Sequence, residues 1–390
     1  MLTRSYRTRT ILRDMDNKLK SETVWPIGLD IGYSGVKTCS GNMISCFPSY
    51  AVQNRYETRL AIGAGEDDER RILYRDEESG EWEVGALAQN MISTSDATAG
   101  SMAIYGRSRY YSPMFKVLAR VGLASGMIPN RYGSPTGKKL QIITGLPPKY
   151  IKSDSYDMKT VLSGHHKFSV KFGNSGWMDF DFTLDINDIG IVDQPQGTLF
   201  SISTNPDMRL FPDARKYFAS RVLVIDPGFG TLDIFPMIRK NTSRDDCQTF
   251  TELGMKQVLK KTADDIFKLY NFEISVPAMQ PYLETGMVIK KEGRKTTKVE
   301  FDDILEKNSK LVCDTAIEKI MEIYDPPTEF DYMVLTGGTG AAWSSYFRNS
   351  EYFKDCDTVQ IISGNQGDPS LPYIFSNVRG YYIFALSRVH

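Results

Sequence analysis

Two short segments of the chain share one pattern of acidic residues and glycines, and this pattern suits phosphate and metal chemistry. The segments are residues 30–36 (DIGYSGV) and 226–232 (DPGFGTL), and each lies between two apolar runs. Apolar runs on both sides of a glycine-rich turn predict a strand-turn-strand hairpin with an aspartate at its first corner. Glycine turns allow backbone N–H groups to surround a phosphate oxygen, whereas a carboxylate suits Mg²⁺ or its waters.

The two copies lie about half the chain length apart, which indicates an internal repeat. An ordinary hairpin would explain a single copy, but two copies at this spacing predict two similar lobes that each present a phosphate-binding turn. Lys37 follows the first turn on the returning strand, where it can reach back to a phosphate as a point charge. The candidate phosphate-binding residues are Gly32, Tyr33, Ser34, Gly35 and Lys37 in the first copy, and Gly228, Phe229, Gly230 and Thr231 in the second.

A third glycine motif follows the apolar run at residues 332–335 and precedes a helical pattern. A buried strand that runs through glycines into a helix offers a flat backbone surface for a ligand at the carboxyl end of the strand. A tight strand-to-helix turn without a ligand would explain the same residues equally well. The candidate residues of this motif are Gly337, Gly338 and Thr339.

The elements that must position these motifs alternate between strands and helices. Apolar runs predict strands at residues 24–30, 36–40, 43–47, 140–146, 222–226 and 332–335. Helical spacing around residues 114–121 and over most of 252–308 predicts helices, with a basic turn at 290–298. We therefore expect an α/β architecture.

Two segments lack a sustained apolar period. Residues 1–20 are rich in arginine and lysine and predict a loosely ordered basic tail, most simply a solvated terminus and alternatively a filament contact or an anion-binding arm. Residues 54–81 are polar and charged, which predicts an insertion or a small subdomain. A P-loop is disfavoured at residues 133–139, because the glycines are too close together and Lys139 occupies the Ser/Thr position.

Length and composition limit the kinds of protein this can be. A chain of 390 residues and 44.1 kDa exceeds the usual size of a single core, so we expect two domains or one deeply lobed body. The net charge of -1 gives no general attraction to nucleic acid or to an anionic membrane. Five scattered cysteines and only three histidines disfavour a disulfide framework, a His-rich zinc site and a Ser/His/Asp triad. Without an apolar span or an export signal, we expect a cytoplasmic protein.

Taken in order, the motifs resemble the five signature regions of the actin/Hsp70/sugar-kinase superfamily. The resembling segments are residues 29–37 for phosphate 1, 193–198 for connect 1, 224–233 for phosphate 2, 334–340 for the adenosine motif and 376–381 for connect 2. Three further segments resemble bacterial actin-like plasmid-segregation proteins of the ParM type. They are residues 46–49 after the first three strands, 144–147 at the end of a core strand and 377–380 near the C-terminus.

This resemblance implies an actin-like α/β fold, with two ribonuclease-H-like lobes, a nucleotide cleft between them and small inserted subdomains. In that family each lobe carries a five-stranded sheet. The implied N-terminal tail is residues 1–23 and is basic. Lobe I is residues 24–195, with an inserted subdomain at about 50–85, and the C-terminal segment 366–390 completes this lobe. Lobe II is residues 196–365, with an inserted subdomain at about 255–308.

The resemblance also implies ATP as cofactor, with GTP possible, and Mg²⁺. Asp30 and Asp226 would organise Mg²⁺ through its waters, and Asp226 would be catalytic because it lies nearer the attacking water. The glycines of the adenosine motif would lie under the nucleoside. Gln194 would orient the water, although Gln196 is an alternative, and many ParM-like members carry glutamate in connect 1. A neutral amide is a poor base, so we expect catalysis by positioning and electrostatics.

The function implied is an ATP-hydrolysing actin-like protein that polymerises into dynamic filaments and segregates plasmid DNA. Its partners would be further copies of itself and a DNA-binding adaptor protein on a plasmid centromere, with no direct nucleic-acid binding and no membrane. One alternative is a phage or chromosomal actin-like filament protein with another cargo. A second alternative is a non-polymerising small-molecule kinase of the same superfamily, although no aspartate base for an acceptor can be picked out.

Overall fold

The structure is a computed structural model that describes residues 3–54, 69–94, 106–239, 242, 244–292 and 295–388. By its internal contacts the chain divides into two compact units. As far as it is described, unit 1 contains residues 3–7, 147–149 and 193–380, and unit 2 contains residues 8–146, 150–192 and 381–388. Each unit therefore combines segments that are distant in sequence.

Unit 2 contains a six-stranded sheet made of β1 (Ile11–Asp14), β2 (Val24–Ile31), β3 (Gly35–Ser40), β4 (Met43–Pro48), β8 (Lys139–Leu146) and β11 (Ile189–Asp193). Its strand order is β1-β4-β3-β2-β8-β11. β2, β3 and β4 pair antiparallel, as the sequence predicts, whereas β8 pairs with β2 in parallel. β2 is buried along almost its whole length because both faces of the sheet are covered, which explains its continuous apolar run.

A second sheet of unit 2 contains β5 (Ala51–Gln53), β6 (Ile72–Asp76), β7 (Gly80–Val84), β9 (Gly164–Phe172) and β10 (Met178–Leu184), in the order β10-β9-β6-β7-β5. The α-helices that the structure describes in this unit are α1 (Ala86–Thr94), α2 (Pro113–Met127) and α3 (Ile151–Leu162). α2 begins where Ser112 accepts a hydrogen bond from the Phe115 amide and Pro113 occupies the first helical position. Its side chains are almost all buried, so α2 forms the centre of the core of unit 2.

Unit 1 contains a five-stranded sheet made of β12 (Arg221–Pro227), β13 (Leu232–Ile238), β14 (Gln248–Phe250), β17 (Tyr332–Leu335) and β18 (Gln360–Ser363), in the order β14-β13-β12-β17-β18. β12 pairs antiparallel with β13 and parallel with β17, so both predicted core strands of this half lie side by side. A separate hairpin is formed by β15 (Met287–Glu292) and β16 (Lys295–Glu300).

The helices of unit 1 are α4 (Gln194–Ile202), α5 (Arg215–Ala219), α6 (Met255–Tyr270), α7 (Val276–Met279), α8 (Asp302–Tyr324), α9 (Pro326–Glu329) and α10 (Gly337–Arg348), and α11 (Ser376–Ser387) begins in this unit. α6 buries residues at helical spacing, from Met255 through Val258 and Leu259 to Ile266, and ends where Asn271 adopts the left-handed conformation. The 3-10 helices within the described residues are Thr3–Tyr6, Arg107–Tyr111, Pro148–Tyr150, Ile186–Asp188, Arg244–Asp246, Gln280–Glu284 and Tyr373–Phe375.

The N-terminal segment differs from the loosely ordered tail that the sequence predicts. The Tyr6 hydroxyl hydrogen-bonds with Ser309, and Arg7 forms an ion pair of 3.0 Å with Glu284. The next residues form β1, which pairs antiparallel with β4 and adds a sixth strand to a sheet that the resemblance predicts with five. Four residues on a sheet edge are too few for a recognisable apolar period, so the basic composition dominated the prediction.

The segment 252–308 also differs from its mainly helical prediction, because β15 and β16 occupy much of its second half. Val288 and Val299 are opposite each other in the hairpin, and both are buried. The centre of the other predicted insertion, residues 55–68, lies outside the described residues, whereas the parts on either side form β5, β6 and β7.

Residues 366–380, near the C-terminus, pack within unit 1. Arg379 on α11 is buried and donates hydrogen bonds to Ser201 and Thr204 at the end of α4. These contacts hold the first part of α11 against α4, and the predicted lobes remain a prediction. None of the helices within the described ranges is long and apolar enough to cross a membrane.

The crossing of α4 and α11 depends on two glycines. A Cβ atom on Gly380 would lie 1.7 Å from the backbone oxygen of Gly197, so the helices approach closely enough to exclude any side chain. We expect Gly380→Ala to lower the free energy of unfolding by at least about 2 kcal/mol, because backbone must move to admit the methyl group. Urea unfolding followed by circular dichroism measures this change.

The matched control is Gly176→Ala, because no heavy atom lies within 4 Å of the position of its Cβ. This variant should change the free energy of unfolding by less than about 1 kcal/mol. Equal, small effects of the two substitutions would contradict the close helix crossing.

Candidate functional site

The first predicted hairpin is formed by β2 and β3 in unit 2. Asp30 pairs with Lys37 across the strands, and the four residues 32–35 form the turn. The Gly32 amide donates to the Gly35 carbonyl at 3.1 Å, which closes the turn. Ser49 holds the turn from outside, since its hydroxyl donates to the Gly32 carbonyl at 2.7 Å and its amide to the Ser34 carbonyl at 3.2 Å.

The charged groups of this hairpin neutralise each other. Lys37 Nζ donates to Asp30 Oδ2 at 2.9 Å, and both side chains are largely buried. Cys46 lies beside this pair, and burial raises the pKa of its thiol to about 12, so Cys46 stays a neutral thiol. The half-buried Tyr33 ring lies under the guanidinium of Arg109, 4.9 Å from the ring centre. Lys37 can therefore bind a phosphate only if its ammonium group contacts the phosphate and Asp30 together, or if it breaks its ion pair with Asp30.

The second predicted hairpin is formed by β12 and β13 in unit 1 and has the same backbone plan. Asp226 pairs with Asp233 across the strands, residues 228–231 form the turn, and the Gly228 amide donates to the Thr231 carbonyl at 2.8 Å. The start of α6 supports the turn, because the Met255 and Lys256 amides donate to the carbonyls of residues 228 and 229 at 3.0 and 2.8 Å. The internal repeat is thus a repeat of local structure.

Neighbouring atoms lie close to the glycines of the two hairpins and leave little room for a side chain. Gly32, Gly35 and Gly228 have no positive φ, so these turns do not use the left-handed backbone that glycine permits. A Cβ on Gly35 would lie 2.8 Å from the Thr8 methyl group, and one on Gly32 would lie 3.2 Å from Lys37 Nζ. Gly254, which the sequence reasoning missed, is constrained more strictly, since its Cβ would lie 2.7 Å from the Phe229 carbonyl oxygen.

The Asp226 carboxylate is the centre of a buried polar network in unit 1. Its Oδ2 atom accepts a hydrogen bond of 2.7 Å from the Asn377 side-chain amide and one of 3.4 Å from the Gln194 amide. The Asn377 carbonyl oxygen in turn accepts from Thr198 at 2.6 Å. The Thr198 hydroxyl also lies 2.9 Å from that of Thr336, the residue before α10. The network joins β12, α4, α11 and the end of β17.

Two helices begin beside this carboxylate. α4 begins at Gln194 and α10 begins at Gly337, so the positive ends of two helix dipoles lie near one buried negative charge. Gln194 rather than Gln196 makes the contact with Asp226, because residues two apart on a helix point to opposite sides. The assignment of the water-orienting role to Gln194 is a prediction that this geometry supports.

The third motif packs against the second hairpin. Gly337 has φ +73°, and a Cβ there would lie 2.6 Å from Asp226 Oδ1, so only glycine fits the turn between β17 and α10. The Thr339 hydroxyl is 3.4 Å from the Gly228 carbonyl oxygen. A Cβ on Gly338 would lie 2.9 Å from the Ile374 side chain. The structure thus brings the second and third motifs together, and protein packing alone already requires a glycine at position 337.

Asp233 is a second buried carboxyl group in this region that the sequence reasoning did not select. It accepts hydrogen bonds from Thr249 at 2.6 Å and from Thr231 at 3.0 Å, so the Thr231 hydroxyl is directed to Asp233. Burial raises the pKa of Asp233 to about 7, and the nearby Asp226 charge adds to this rise, against the opposing effect of the two hydroxyls. Its cross-strand position opposite Asp226 follows from the sequence once the hairpin register is known.

The residues present fit Mg²⁺ bound together with a nucleotide. Among the described residues there is no group of three or more His, Cys, Asp or Glu side chains that could hold a metal ion by themselves. Magnesium usually takes one or two carboxylates and completes its coordination with phosphate oxygens and water. Each hairpin has one aspartate at its first corner, which suits that mode of binding.

Comparisons with known proteins concern the fold. Residues 28–197 match the sequence profile of the family described as "Actin like proteins N terminal domain". None of the curated protein sequences is significantly similar to this chain.

Solved structures with a similar fold cover almost the whole chain. A ParM protein in a 15-stranded filament from Clostridium botulinum has a TM-score of 0.68 at 20% identity, covering 94% of this chain and 99% of that one. An archaeal actin homologue, Ta0583, in complex with ADP has a TM-score of 0.61 at 14% identity, covering 93% and 99%. The actin-like protein Alp7A has a TM-score of 0.59 at 15% identity, covering 94% and 97%.

The chain therefore has an actin-like fold, and its residues 28–197 are similar to the N-terminal domain of actin-like proteins. The resemblance to bacterial actin-like proteins of the ParM type, predicted from the motifs, is confirmed at the level of fold. The individual roles of the fifteen candidate site residues remain predictions.

The raised pKa of Asp233 predicts a pH dependence of stability. In the unfolded chain this group releases its proton near the ordinary pKa of 3.8, but in the folded protein it keeps the proton up to about 7. Its contribution to folding is therefore fully present below pH 3.8 and is lost as the pH rises through about 7. Asp233→Asn should remove this dependence.

The measurement is the free energy of urea unfolding at about pH 5 and about pH 8, for nucleotide-free protein in a metal chelator. We expect the stability advantage of wild type over Asp233→Asn to be smaller at the higher pH. Asp264→Asn, at an exposed aspartate of α6, is the matched control and should show no such trend. A difference between wild type and Asp233→Asn that is independent of pH would contradict the assignment.

Proposed function

We propose that this protein binds and hydrolyses ATP with Mg²⁺ and that it assembles into filaments whose dynamics depend on the bound nucleotide. The observation that carries the proposal is the arrangement around Asp226, where a glycine hairpin, a strand-glycine-helix turn and a glutamine meet at one buried carboxylate. The actin-like fold and the nucleotide in an archaeal actin homologue support it.

The proposed roles follow from the chemistry of each group. The turns at residues 32–35 and 228–231 would contact phosphate oxygens, and Lys37 would add a charge to that contact. Asp30 and Asp226 would hold Mg²⁺ through water, and the ion would neutralise charge on the phosphates. The turn at Gly337 and Gly338 would lie against the nucleoside, and ATP is proposed over GTP from the resemblance.

Hydrolysis would rest on positioning. The Gln194 amide is held near Asp226 and can orient a water by hydrogen bonding, but it has no basic group to accept a proton at neutral pH. Asp226 is fixed by Asn377, so the carboxylate does not have to reorganise during the reaction. The proposal therefore assigns catalysis to preorganised hydrogen bonds and charge.

A matched pair of variants tests the role of the glutamine. Gln194→Ala should slow ATP hydrolysis roughly tenfold to a hundredfold while the affinity for ATP stays nearly unchanged, because a mispositioned water affects the chemical step more than binding. Gln196→Ala is the control, since it lies in the same helical turn and points away from Asp226. Phosphate release and fluorescent-nucleotide binding measure the two quantities. A larger effect of Gln196→Ala on turnover would move the role to that residue.

The filament part of the proposal extends to the biological task. We propose that the filaments segregate plasmid DNA through a DNA-binding adaptor protein, with no direct nucleic-acid binding by this chain, which has a net charge of -1. A head-to-tail contact between successive copies is heterologous and does not close, so it produces a helical filament. The ParM filament from Clostridium botulinum supports assembly, since its subunit has a similar fold.

Assembly should depend on the exposed apolar residues near the end of α6, within the segment 252–308. Leu269 is 65% exposed there, beside the exposed Phe267 and Tyr270. We expect Leu269→Lys to raise the critical concentration for ATP-dependent light scattering at least fivefold, because a charge would have to be buried in the contact. Leu210→Lys is the matched control in the same unit, since Leu210 is 66% exposed, and it should have little effect.

Electron microscopy of the protein with ATP and with ADP accompanies the scattering. Filaments in ATP that disappear as nucleotide is consumed would support the proposal. A protein that hydrolyses ATP and remains monomeric well above micromolar concentration would contradict assembly and favour a small-molecule kinase.

A further inference from the structure

Unit 2 contains a cavity of about 620 Å³ that is separate from the phosphate-type hairpin of that unit. It lies where the start of α2, the end of α3, the turn between β6 and β7 and the start of β9 meet. Its lining combines apolar groups, including Val117, Val161 and Tyr110, with the charged groups Asp76, Lys116 and Arg120. A cavity of this size and mixed lining is typical of sites for small organic molecules.

Arg120 is buried in the lining and uses only part of its hydrogen-bonding capacity. The residue is 6% exposed, yet it lines the cavity. Its Nη1 atom donates to Asp76 at 2.6 Å and to the Tyr74 hydroxyl at 2.7 Å, and its Nε atom donates to His166 at 3.4 Å. Within the described part of the chain, the Nη2 atom has no hydrogen-bond partner. A guanidinium has five N–H donors, so one edge of this one is left for a ligand.

The partners of Arg120 hold it rigidly in place. His166 Nε2 hydrogen-bonds with the Leu162 carbonyl at 2.9 Å, so its Nδ1 atom is free to accept from Arg120. Burial lowers the pKa of His166 to about 4, and the Arg120 charge adds to this, so the ring is neutral at physiological pH. Burial alone would raise the pKa of Asp76, but hydrogen bonds from Tyr74 and Ser79 hold it below its ordinary value. Asp76 therefore stays charged and keeps Arg120 in position.

The remaining lining favours one negative charge and an apolar body. Lys116 lies in the lining and pairs with Glu78, but both side chains are well exposed, so the pair is weak and can open. Ser112 and Pro113 place the N-terminal end of the fifteen-residue helix α2 at the cavity, where its dipole favours an anion. Arg120 is already balanced by Asp76, so a group with two negative charges would exceed the positive charge available.

We propose that this cavity binds a small organic molecule with one carboxylate and an apolar body. The carboxylate accepts hydrogen bonds from the Nη2 edge of Arg120 and from Lys116, and the apolar body lies against Val117, Val161 and Tyr110. This site is independent of nucleotide binding, so its test does not depend on the proposed ATPase.

The test is calorimetric titration of the nucleotide-free full-length protein with benzoate, and with benzamide as the neutral molecule of the same shape. We expect saturable binding of benzoate with a Kd of about 1 mM or tighter, and binding of benzamide at least tenfold weaker. Equal binding of the two molecules, or no saturable binding of benzoate, would overturn the proposal.

Two pairs of variants assign the binding to this cavity. Arg120→Lys keeps the charge but loses the planar donor edge, and it should weaken benzoate binding at least tenfold. Arg71→Lys is its control, because Arg71 also pairs with a buried carboxylate of the same unit, Glu83, but does not line the cavity. Equal losses in both variants would overturn the proposal.

The second pair remains informative even if Arg120→Lys fails to fold. Thr160→Trp places a large ring at the exposed edge of the cavity and should reduce benzoate binding at least fivefold. Lys152→Trp, at an exposed position on the same helix outside the lining, is its control and should leave binding unchanged. Unchanged binding in Thr160→Trp would also overturn the proposal.

Discussion

The burial of the Asp226 carboxylate constrains much of unit 1. Burying a carboxylate costs several kcal/mol unless hydrogen bonds and positive charge replace its hydration. Each hydrogen-bond partner that a buried polar group loses costs about 1–3 kcal/mol. Here the replacement comes from Asn377 on α11, from Gln194 at the start of α4 and from the adjoining start of α10 at Gly337. These segments are far apart in sequence. The requirement to satisfy one charge therefore links β12, two helix N-termini and the first turns of α11.

The two hairpins show how one backbone design can carry different chemistry. Both have an aspartate at the strand end and a four-residue turn closed by an amide-to-carbonyl hydrogen bond. The residue opposite the aspartate differs, and this sets the electrostatics. Lys37 neutralises Asp30 in unit 2, whereas Asp233 stands opposite Asp226 in unit 1, where burial and the neighbouring charge raise its pKa to about 7. The hairpin of unit 2 is thus neutral through its own ion pair, whereas in the hairpin of unit 1 the Asp233 carboxyl group gains or loses a proton close to neutral pH.

Local pattern was sufficient to predict the hairpins, the antiparallel β2-β3-β4 arrangement and the strand-glycine-helix turn, because each depends on neighbouring residues. The same approach missed β1, whose four residues gain their hydrogen bonds from β4, and it predicted helix where β15 and β16 pair. It also missed Asn377 and Gly254 as site residues. Asn377 lies in the segment that resembles connect 2, but local pattern does not show that this asparagine contacts residue 226 or that Gly254 contacts residue 229.

Residue types and their spacing were enough to predict the α/β class, the repeated acidic hairpins, the glycine turn and, through the order of the motifs, the resemblance to actin-like proteins. Those features depend on the spacing of residues close together in the chain, because the geometry of the backbone relates this spacing to strands, turns and helices. The folded chain was needed to show which polar groups surround Asp226, that Lys37 is paired with Asp30, and that Arg120 keeps one donor edge beside a cavity. These depend on side chains brought together by packing and on the cost of leaving a buried charge unpaired, and neither is visible in the order of residues along the chain.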